Sequence, residues 1–184
     1  MLPIHTIGHS TRTIDAFVDL LRAGAVDTVI DIRTIPRSRT NPQFNPDRLA
    51  PALASFQIAH TRIDALGGLR KASADVPAEV NGWWTNKSFH NYADYALTQG
   101  FRSGLAELEA LAAQRRVAIM CAEAVWWRCH RRIVADYLLA GGREVFHLMG
   151  EARVEPATPT PAAVEAKDGL RYPARSPGAS DRPQ

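Results

Sequence analysis

Two spacings of apolar residues alternate along the first 150 residues, one typical of buried strands and one typical of helices. Short apolar or β-branched runs predict five strands, at residues 3–9, 26–33, 58–64, 117–121 and 144–149. Apolar residues recurring every three or four positions predict helices over residues 13–23, 46–56, 92–97, 101–114 and 126–140. Prolines, asparagines and glycines interrupt both patterns at residues 33–46 and 65–91, which are predicted to be irregular loops.

This order of elements determines the fold class. A strand, a helix and a second strand joined by short connections predict parallel strands with a right-handed crossover. Regular alternation of strands and helices predicts a sheet covered by helices on both faces. We therefore predict an α/β protein with an open, mostly parallel sheet of about five strands, arranged as a Rossmann-like three-layer sandwich. Residues 1–150 are expected to form this single domain.

The chain changes character after residue 150. Six of the twelve prolines lie there, and large apolar residues become rare. This composition predicts that residues 151–184 form an extended or disordered C-terminal extension rich in proline and alanine. The segment GLRYP at 169–173 has enough apolar content to dock against the domain.

Composition limits the class of protein and its compartment. A hydrophobic content of 46% is enough for a substantial core. The chain contains no apolar run of about 18 residues, and the opening MLPIHTIGHS lacks the features of a signal peptide. Two cysteines are too few for a disulfide framework. These features predict a soluble cytoplasmic protein with no membrane association, and the net charge of +3 slightly favours an anionic partner.

Polar residues cluster where three of the predicted strands end. In open parallel α/β sheets, ligands bind at the carboxyl ends of the strands. The residues at these ends, taken strand by strand, are Gly8, His9 and Ser10; Asp31, Arg33, Arg37, Ser38 and Arg39; and Cys121, Glu123, Arg128, Cys129, His130 and Arg131. Since parallel strands present these ends at the same edge, we expect one pocket.

The arginines give this edge a cationic character. Their planar groups suit phosphate or carboxylate, and the predicted helix start after Cys121 adds backbone N–H groups. An anionic small molecule or a nucleic acid is therefore the expected partner. Asp31 and Glu123 could instead pair with the arginines, which would leave no anion site.

The two cysteines are interpreted differently. Cys121 lies at a strand end among arginines, a setting that lowers a thiol pKa, although an inert buried cysteine is the alternative. Cys129 shares an apolar helical face with Ile133 and Val134 and is predicted to be core. His9 could donate to an anion, have a structural role or act as a general base.

The histidines and tryptophans raise two further alternatives, a metal site and a nucleic-acid surface. His9 and His130 could join either cysteine in binding zinc, but no C-x-x-C or H-x-x-x-H spacing occurs, so neither a metal nor a cofactor is predicted. Trp83 and Trp84 could stack on bases, or they could belong to the core.

Five ordered motifs resemble domain-of-unknown-function family 488. They are IGHS at 7–10, DIRTIPRSR at 31–39, NPQFN at 41–45, LGG at 66–68 and CAEAVWWRCHR at 121–131. The resemblance runs from about residue 4 to residue 149 and implies one compact α/β domain with a single pocket. It carries over to His9, Ser10, Asp31, Arg33, Pro36, Ser38, Cys121, Glu123, Cys129, His130 and Arg131. The chain has Ala124 and Val125 where the family commonly has a helix-capping residue or proline.

Two hypotheses of function follow. In the first, the protein is an enzyme in which Cys121 is the nucleophile, and His9 or Glu123 carries protons. The residues expected to bind its phosphate-bearing ligand are Ser10, Asp31, Arg33, Ser38, Arg128, His130 and Arg131. In the second, the same pocket is a non-catalytic nucleotide or nucleic-acid binding module, and the Arg33–Arg39 loop and the Trp83–Trp84 pair hold the ligand.

Overall fold

The computed structural model describes residues 2–150 and 153–174. Its strands are β1 (Ile4–Gly8), β2 (Thr28–Asp31), β3 (Ala59–Arg62), β4 (Val117–Cys121), β5 (Val145–Met149), β6 (Arg153–Pro156), β7 (Val164–Ala166) and β8 (Gly169–Arg171). Its α-helices are α1 (Ile14–Ala23), α2 (Pro46–Ala54), α3 (Lys87–Ala96), α4 (Gln99–Ala112) and α5 (Arg131–Ala140). Within these residues, no helix combines the length and the apolar character that crossing a membrane requires.

The central sheet has six strands in the order β3-β2-β4-β1-β5-β6. The first five are parallel to one another, and β6 pairs antiparallel with β5. The predicted α/β class and the mostly parallel sheet are therefore confirmed. The strand number differs by one from the expected five, because the sixth strand comes from beyond residue 150.

Two apolar clusters cover the two faces of the sheet. Alternate side chains of β4 point to opposite faces: Ile119 belongs to the cluster formed with α3, α4 and α5, and Met120 to the cluster formed with α1 and α2. Both side chains are fully buried. A sheet between two helical layers is the three-layer sandwich that the sequence predicts.

Local capping explains why one helix begins earlier than predicted. The predicted helix over residues 92–97 belongs to α3, which starts at Lys87. The side chain of Asn86 accepts a hydrogen bond from Ser88 N at 2.9 Å, which satisfies a backbone donor of the first turn. The irregular segment predicted for residues 65–91 is therefore shorter than expected.

The helix predicted for residues 126–140 begins five residues later. A single 3₁₀ turn covers Trp126–Arg128, and α5 starts only at Arg131. Between them, Cys129 has an extended backbone with φ −130° and ψ 147°, which interrupts the helical path. The sequence pattern missed this break because apolar residues continue at helical spacing through it.

Part of the C-terminal extension is folded. Residues 153–156 complete the sheet as β6, which differs from the expectation that only residues 169–173 would dock. The β7–β8 hairpin leads to Tyr172, which is fully buried and donates its hydroxyl to Asp136 of α5 at 2.9 Å. Residues 175–184, for which disorder is predicted, lie outside the described residues.

Candidate functional site

The carboxyl ends of β1, β2 and β4 lie side by side at one edge of the sheet. β4 pairs in parallel with β1 on one side and with β2 on the other. Backbone hydrogen bonds continue past the strands, from His9 N to Cys121 O at 2.9 Å and from Ser10 N to Ala122 O at 3.0 Å. The polar residues that follow these three strands therefore meet at one edge, as the predicted topology requires.

Arg33 is buried, and neighbouring protein groups engage its guanidinium. Its Nε and Nη2 donate to the two carboxylate oxygens of Asp31 at 2.9 and 2.7 Å, and Nη2 also donates to Phe44 O at 2.8 Å. Burial alone would raise the pKa of Asp31, but the proximity of His60, 3.9 Å away, and the hydrogen bonds from Arg33 lower it to about 2. Asp31 therefore neutralises Arg33, which is the alternative to an anion site that the sequence left open.

Both ring nitrogens of His9 are also engaged. Nδ1 lies 2.8 Å from Ser10 O, and since a carbonyl can only accept, Nδ1 carries the proton. Nε2 is then the acceptor for Arg33 Nη1 at 3.1 Å. Burial lowers the pKa of His9 to about 4, and the charge of Arg33 adds to this shift. Of the three roles considered for His9, this geometry favours the structural one, in which a neutral ring orients Arg33.

Arg131 holds the loop that follows β4. Its side chain is 1% exposed, Nη2 donates to the backbone carbonyl of Glu123, and Nε donates to Cys129 Sγ at 3.3 Å. Like Arg33, it is directed at protein atoms. Neither arginine therefore offers a free, exposed guanidinium to a ligand.

The same loop is anchored to β5 through aromatic stacking. The ring of Trp126 stacks on His147 with centroids 4.3 Å apart and planes 10° from parallel. His147 Nδ1 lies 2.8 Å from Thr6 Oγ1. Burial, assisted by the charge of Arg131, lowers the pKa of His147 to about 3. In the folded protein, His147 is therefore neutral near neutral pH.

We expect His147 to make the stability of the protein pH-dependent. Its pKa is depressed on folding, so its contribution is fully present above the unfolded value of about 6.5 and is lost as the pH falls toward 3. Between pH 7 and pH 5 the loss amounts to about 2 kcal/mol. Urea unfolding of the wild type and His147→Gln should show the stability difference shrinking by that amount. A difference that is constant with pH would contradict this prediction.

Both thiols and the imidazole of His130 converge on one point. His130 Nδ1 lies 3.6 Å from Cys129 Sγ and 3.9 Å from Cys121 Sγ. A hydrogen bond with Cys129 and burial raise the pKa of the Cys121 thiol. Burial would also raise the pKa of Cys129, but Cys121, Arg131 and His130 lower it well below the usual thiol value. The contacts of Cys129 with Arg131 and His130 therefore favour negative charge on its sulfur, and its side chain is buried in the core, as the sequence predicts.

Two adjoining cavities open at this edge and share Arg33, Ile35, Ala122 and Glu123 as lining residues. A polar cavity of about 460 Å³ contains, in addition, His9, Ser10, Thr11, Arg37, Ser38, Asn41 and Ala124. A more apolar cavity of about 360 Å³ contains, in addition, Thr34, Gly68, Leu69, Ser88, Phe89, Cys121, Arg128, Cys129 and His130. The site is thus a two-part cleft with hydroxyl groups and Arg37 at one end, and apolar groups, thiols and Arg128 at the other.

Most of the candidate residues predicted from the sequence line this cleft. Asp31 and Arg131 are buried and belong to neither lining. The apolar wall formed by Leu69 and Phe89 was not predicted as part of the site. The sequence feature that could have indicated this wall is the irregular segment containing the LGG motif at 66–68. A hydrogen bond from Leu69 N to Thr34 Oγ1 at 2.9 Å holds Leu69 at the sheet edge.

The fold and the cleft define a three-layer α/β protein with a candidate ligand site at the carboxyl ends of its parallel strands. A family model described as "Domain of unknown function DUF488" matches residues 13–138. The match covers more than half of the chain, so the protein belongs to this family, and the resemblance seen in its motifs is confirmed. Neither the curated proteins nor the solved structures contain a match to the chain.

Proposed function

We propose that the protein binds an anionic, phosphate-bearing small molecule in the two-part cleft, with Arg128 as the main contact for the negative charge. Arg128 is exposed and lines the apolar cavity. Among the residues that the structure describes, its guanidinium makes no ion pair or hydrogen bond. This free guanidinium carries the proposal, because Arg33 and Arg131 are directed at protein atoms.

The two halves of the cleft favour a ligand with both a polar and an apolar part. Ser38 Oγ accepts a hydrogen bond from Asn41 N at 3.0 Å, so its hydroxyl proton remains available to donate to a ligand. Leu69 and Phe89 provide an apolar wall for a planar or aliphatic group. Glu123 lines both cavities and can accept hydrogen bonds from ligand hydroxyls. A nucleotide has this combination of groups.

A small molecule fits these observations better than a nucleic acid. Trp84 is 6% exposed and stacks on Phe89 with centroids 4.7 Å apart, and Trp83 packs against it. Trp84 belongs to the core and the half-buried Trp83 packs against it, so the pair does not form an open surface that could hold bases. The concave shape of the cleft also suits a small ligand.

A thiol-dependent reaction is not part of this proposal. Cys121, the nucleophile predicted from the sequence, has a raised pKa and is therefore a poor source of thiolate. Cys129 has the lowered pKa, but its side chain is only 4% exposed. The cytoplasmic location predicted from the sequence remains a prediction.

Equilibrium binding at low salt tests the proposal, with AMP, ribose 5-phosphate and a single-stranded DNA oligonucleotide as probes. We expect AMP to bind, and its affinity to fall by about tenfold or more in Arg128→Gln, since a hydrogen bond to a charged group contributes about 1.5–3 kcal/mol. Arg22→Gln is the matched control, because it removes the same charge from an exposed position on α1 outside both cavities. It should leave the affinity unchanged.

Three outcomes would overturn the proposal. The first is that neither phosphate compound binds at millimolar concentration. The second is that Arg128→Gln and Arg22→Gln weaken AMP binding equally, which would indicate a non-specific effect of net charge. The third is that the oligonucleotide binds far more tightly than AMP, which would favour the nucleic-acid binding module instead.

A further inference from the structure

We propose that Cys121 Sγ, Cys129 Sγ and His130 Nδ1 form a binding site for a divalent transition-metal ion, Zn²⁺ being the best match to this donor set. The three atoms lie within 4.8 Å of one another. Two thiolates and one imidazole are the donors that zinc prefers in proteins. The inference does not depend on the proposed anion site, because it rests on these three side chains alone.

The distances agree with tetrahedral coordination. With Zn–S bonds of about 2.3 Å and Zn–N bonds of about 2.0–2.1 Å, a tetrahedral angle places sulfur and nitrogen about 3.5–3.6 Å apart. The observed separations from Nδ1 are 3.6 Å to Cys129 Sγ and 3.9 Å to Cys121 Sγ. A movement of a few tenths of an ångström by the partly exposed Cys121 would bring its sulfur to the tetrahedral distance from Nδ1.

The tautomer of His130 prepares it as a ligand. Its Nε2 lies 3.2 Å from the backbone carbonyl of Ile32, and since a carbonyl only accepts, Nε2 carries the proton. Nδ1 therefore presents its lone pair to the two sulfurs. Metal-binding histidines are typically oriented by such a hydrogen bond from the other ring nitrogen to a carbonyl or carboxylate.

Without a metal, the two thiols can form a chain of hydrogen bonds from Cys121 to Cys129 and from Cys129 to His130 Nδ1. Nδ1 has one lone pair, so it can accept a proton from only one of the two thiols that approach it. A metal ion satisfies Nδ1 and both sulfurs at once. Arg131 supports this arrangement, because its Nε donates to Cys129 Sγ at 3.3 Å and so stabilises negative charge on that sulfur.

The site leaves one coordination position for a fourth ligand. Cys121, Cys129 and His130 all line the apolar cavity. Structural zinc sites are usually closed by four protein ligands, whereas catalytic sites have three and leave the fourth position to water or substrate. The cluster has the second arrangement, and a metal ion here would face whatever molecule occupies the cavity.

This inference departs from the prediction of no metal made from the sequence. Cys121 is the last residue of β4, whereas Cys129 and His130 precede α5, so the spacing matches no common zinc motif. The extended backbone at Cys129 turns its side chain back toward the strand end. That turn depends on how the whole loop folds, and no short sequence motif indicates it.

Gly68 offers a way to disturb the site without removing a ligand. A Cβ at this position would lie 2.4 Å from His130 Nδ1, 2.7 Å from Cε1 and 2.8 Å from Cγ. The short distances to the two flanking carbons place it over the face of the ring, because a position along the Nδ1 lone pair would lie much farther from both of them. Gly68→Ala should therefore push the imidazole aside while all three ligands remain.

Metal titration of the full chain tests the inference. Protein treated with a chelator and a reductant should take up one Zn²⁺ per chain, measured by elemental analysis after dialysis. Titration with Co²⁺ should give thiolate-to-metal charge-transfer absorption together with the intense visible bands of tetrahedral Co²⁺. Zn²⁺ should also protect both cysteines from iodoacetamide.

The variants assign the ligands. Cys121→Ser, Cys129→Ser and His130→Gln should each weaken Co²⁺ binding about 100-fold or more, and Gly68→Ala should weaken it about tenfold or more, by analogy with the loss of orienting contacts at metal sites. His90→Gln, a histidine of α3 outside the cluster, is the matched control and should bind Co²⁺ like the wild type. Circular dichroism checks that each variant is folded.

The inference fails if folded wild-type protein takes up less than stoichiometric metal and gives no charge-transfer absorption with Co²⁺. It also fails if the metal binds but His130→Gln and Gly68→Ala bind it as tightly as His90→Gln. Rapid oxidation of Cys121 and Cys129 to a disulfide by dissolved O₂, after removal of the reductant and in the presence of Zn²⁺, would indicate a redox pair instead. The AMP experiments are unaffected by any of these results, so the two proposals can fail separately.

Discussion

Replacing Asp31 with asparagine is expected to lower the free energy of unfolding by about 3–5 kcal/mol, because the change leaves the buried charge of Arg33 without its partner. The side chains of Asp31 and Arg33 are 0% and 4% exposed, and they form a two-point ion pair. Asparagine keeps the size of the side chain but removes its charge. Urea unfolding at pH 7 measures the difference.

The matched control for this prediction is Asp47→Asn. Asp47 pairs with Arg37 at 3.2 Å at the rim of the same cleft, but both side chains are more than half exposed. Exposed pairs contribute at most about 1 kcal/mol, so this variant should unfold nearly like the wild type. If the two variants lost equal stability, the buried pair would not be holding the β2 end in place, and our account of Arg33 would be wrong.

The location of the site could be predicted from the sequence because it depends on topology. Strand-helix-strand units with short connections leave little choice of direction for β1, β2 and β4. Once these strands are parallel, His9, Arg33 and Cys121 must lie at one edge. The structure places His9 within hydrogen-bonding distance of Arg33 and, through its backbone, of Cys121.

The roles of these residues could not be predicted in the same way, because they depend on which partner each side chain finds. Arg33 could have faced a ligand or Asp31, and the sequence left both alternatives open. The structure shows it paired with Asp31. The sequence pattern places Arg128 and Cys129 in the first turn of one helix, yet the chain bends there and separates an exposed cation from a buried thiol.

The C-terminal extension shows a different limit of sequence reasoning. A segment rich in proline and alanine has little apolar surface, which is why disorder was expected for most of it. Residues 153–156 nevertheless form a strand, because β5 offers an unpaired edge and backbone hydrogen bonds need no particular side chains. The pattern of apolar and polar side chains therefore does not indicate edge strands of this kind.

Gly8→Ala is expected to destabilise the protein by about 3 kcal/mol or more, because the added methyl group has no space and the three atoms nearest to it all belong to the backbone. A Cβ at Gly8 would lie 1.9 Å from Glu123 O, 2.7 Å from Glu123 C and 2.9 Å from Ala124 Cα. To relieve this overlap, the loop after β4 would have to move away from β1. Urea unfolding measures the loss.

The same substitution should also weaken the site. The carbonyl of Glu123 accepts a hydrogen bond from Arg131, which in turn contacts Cys129 Sγ, so movement of the loop changes the position of the thiol. Gly150→Ala is the matched control, because a Cβ there has no atom within 4 Å and should change stability by no more than about 0.5 kcal/mol. If Gly8→Ala were as stable as Gly150→Ala, the loop could shift at little cost, and the close approach of the two strand ends would not be what holds the cleft together.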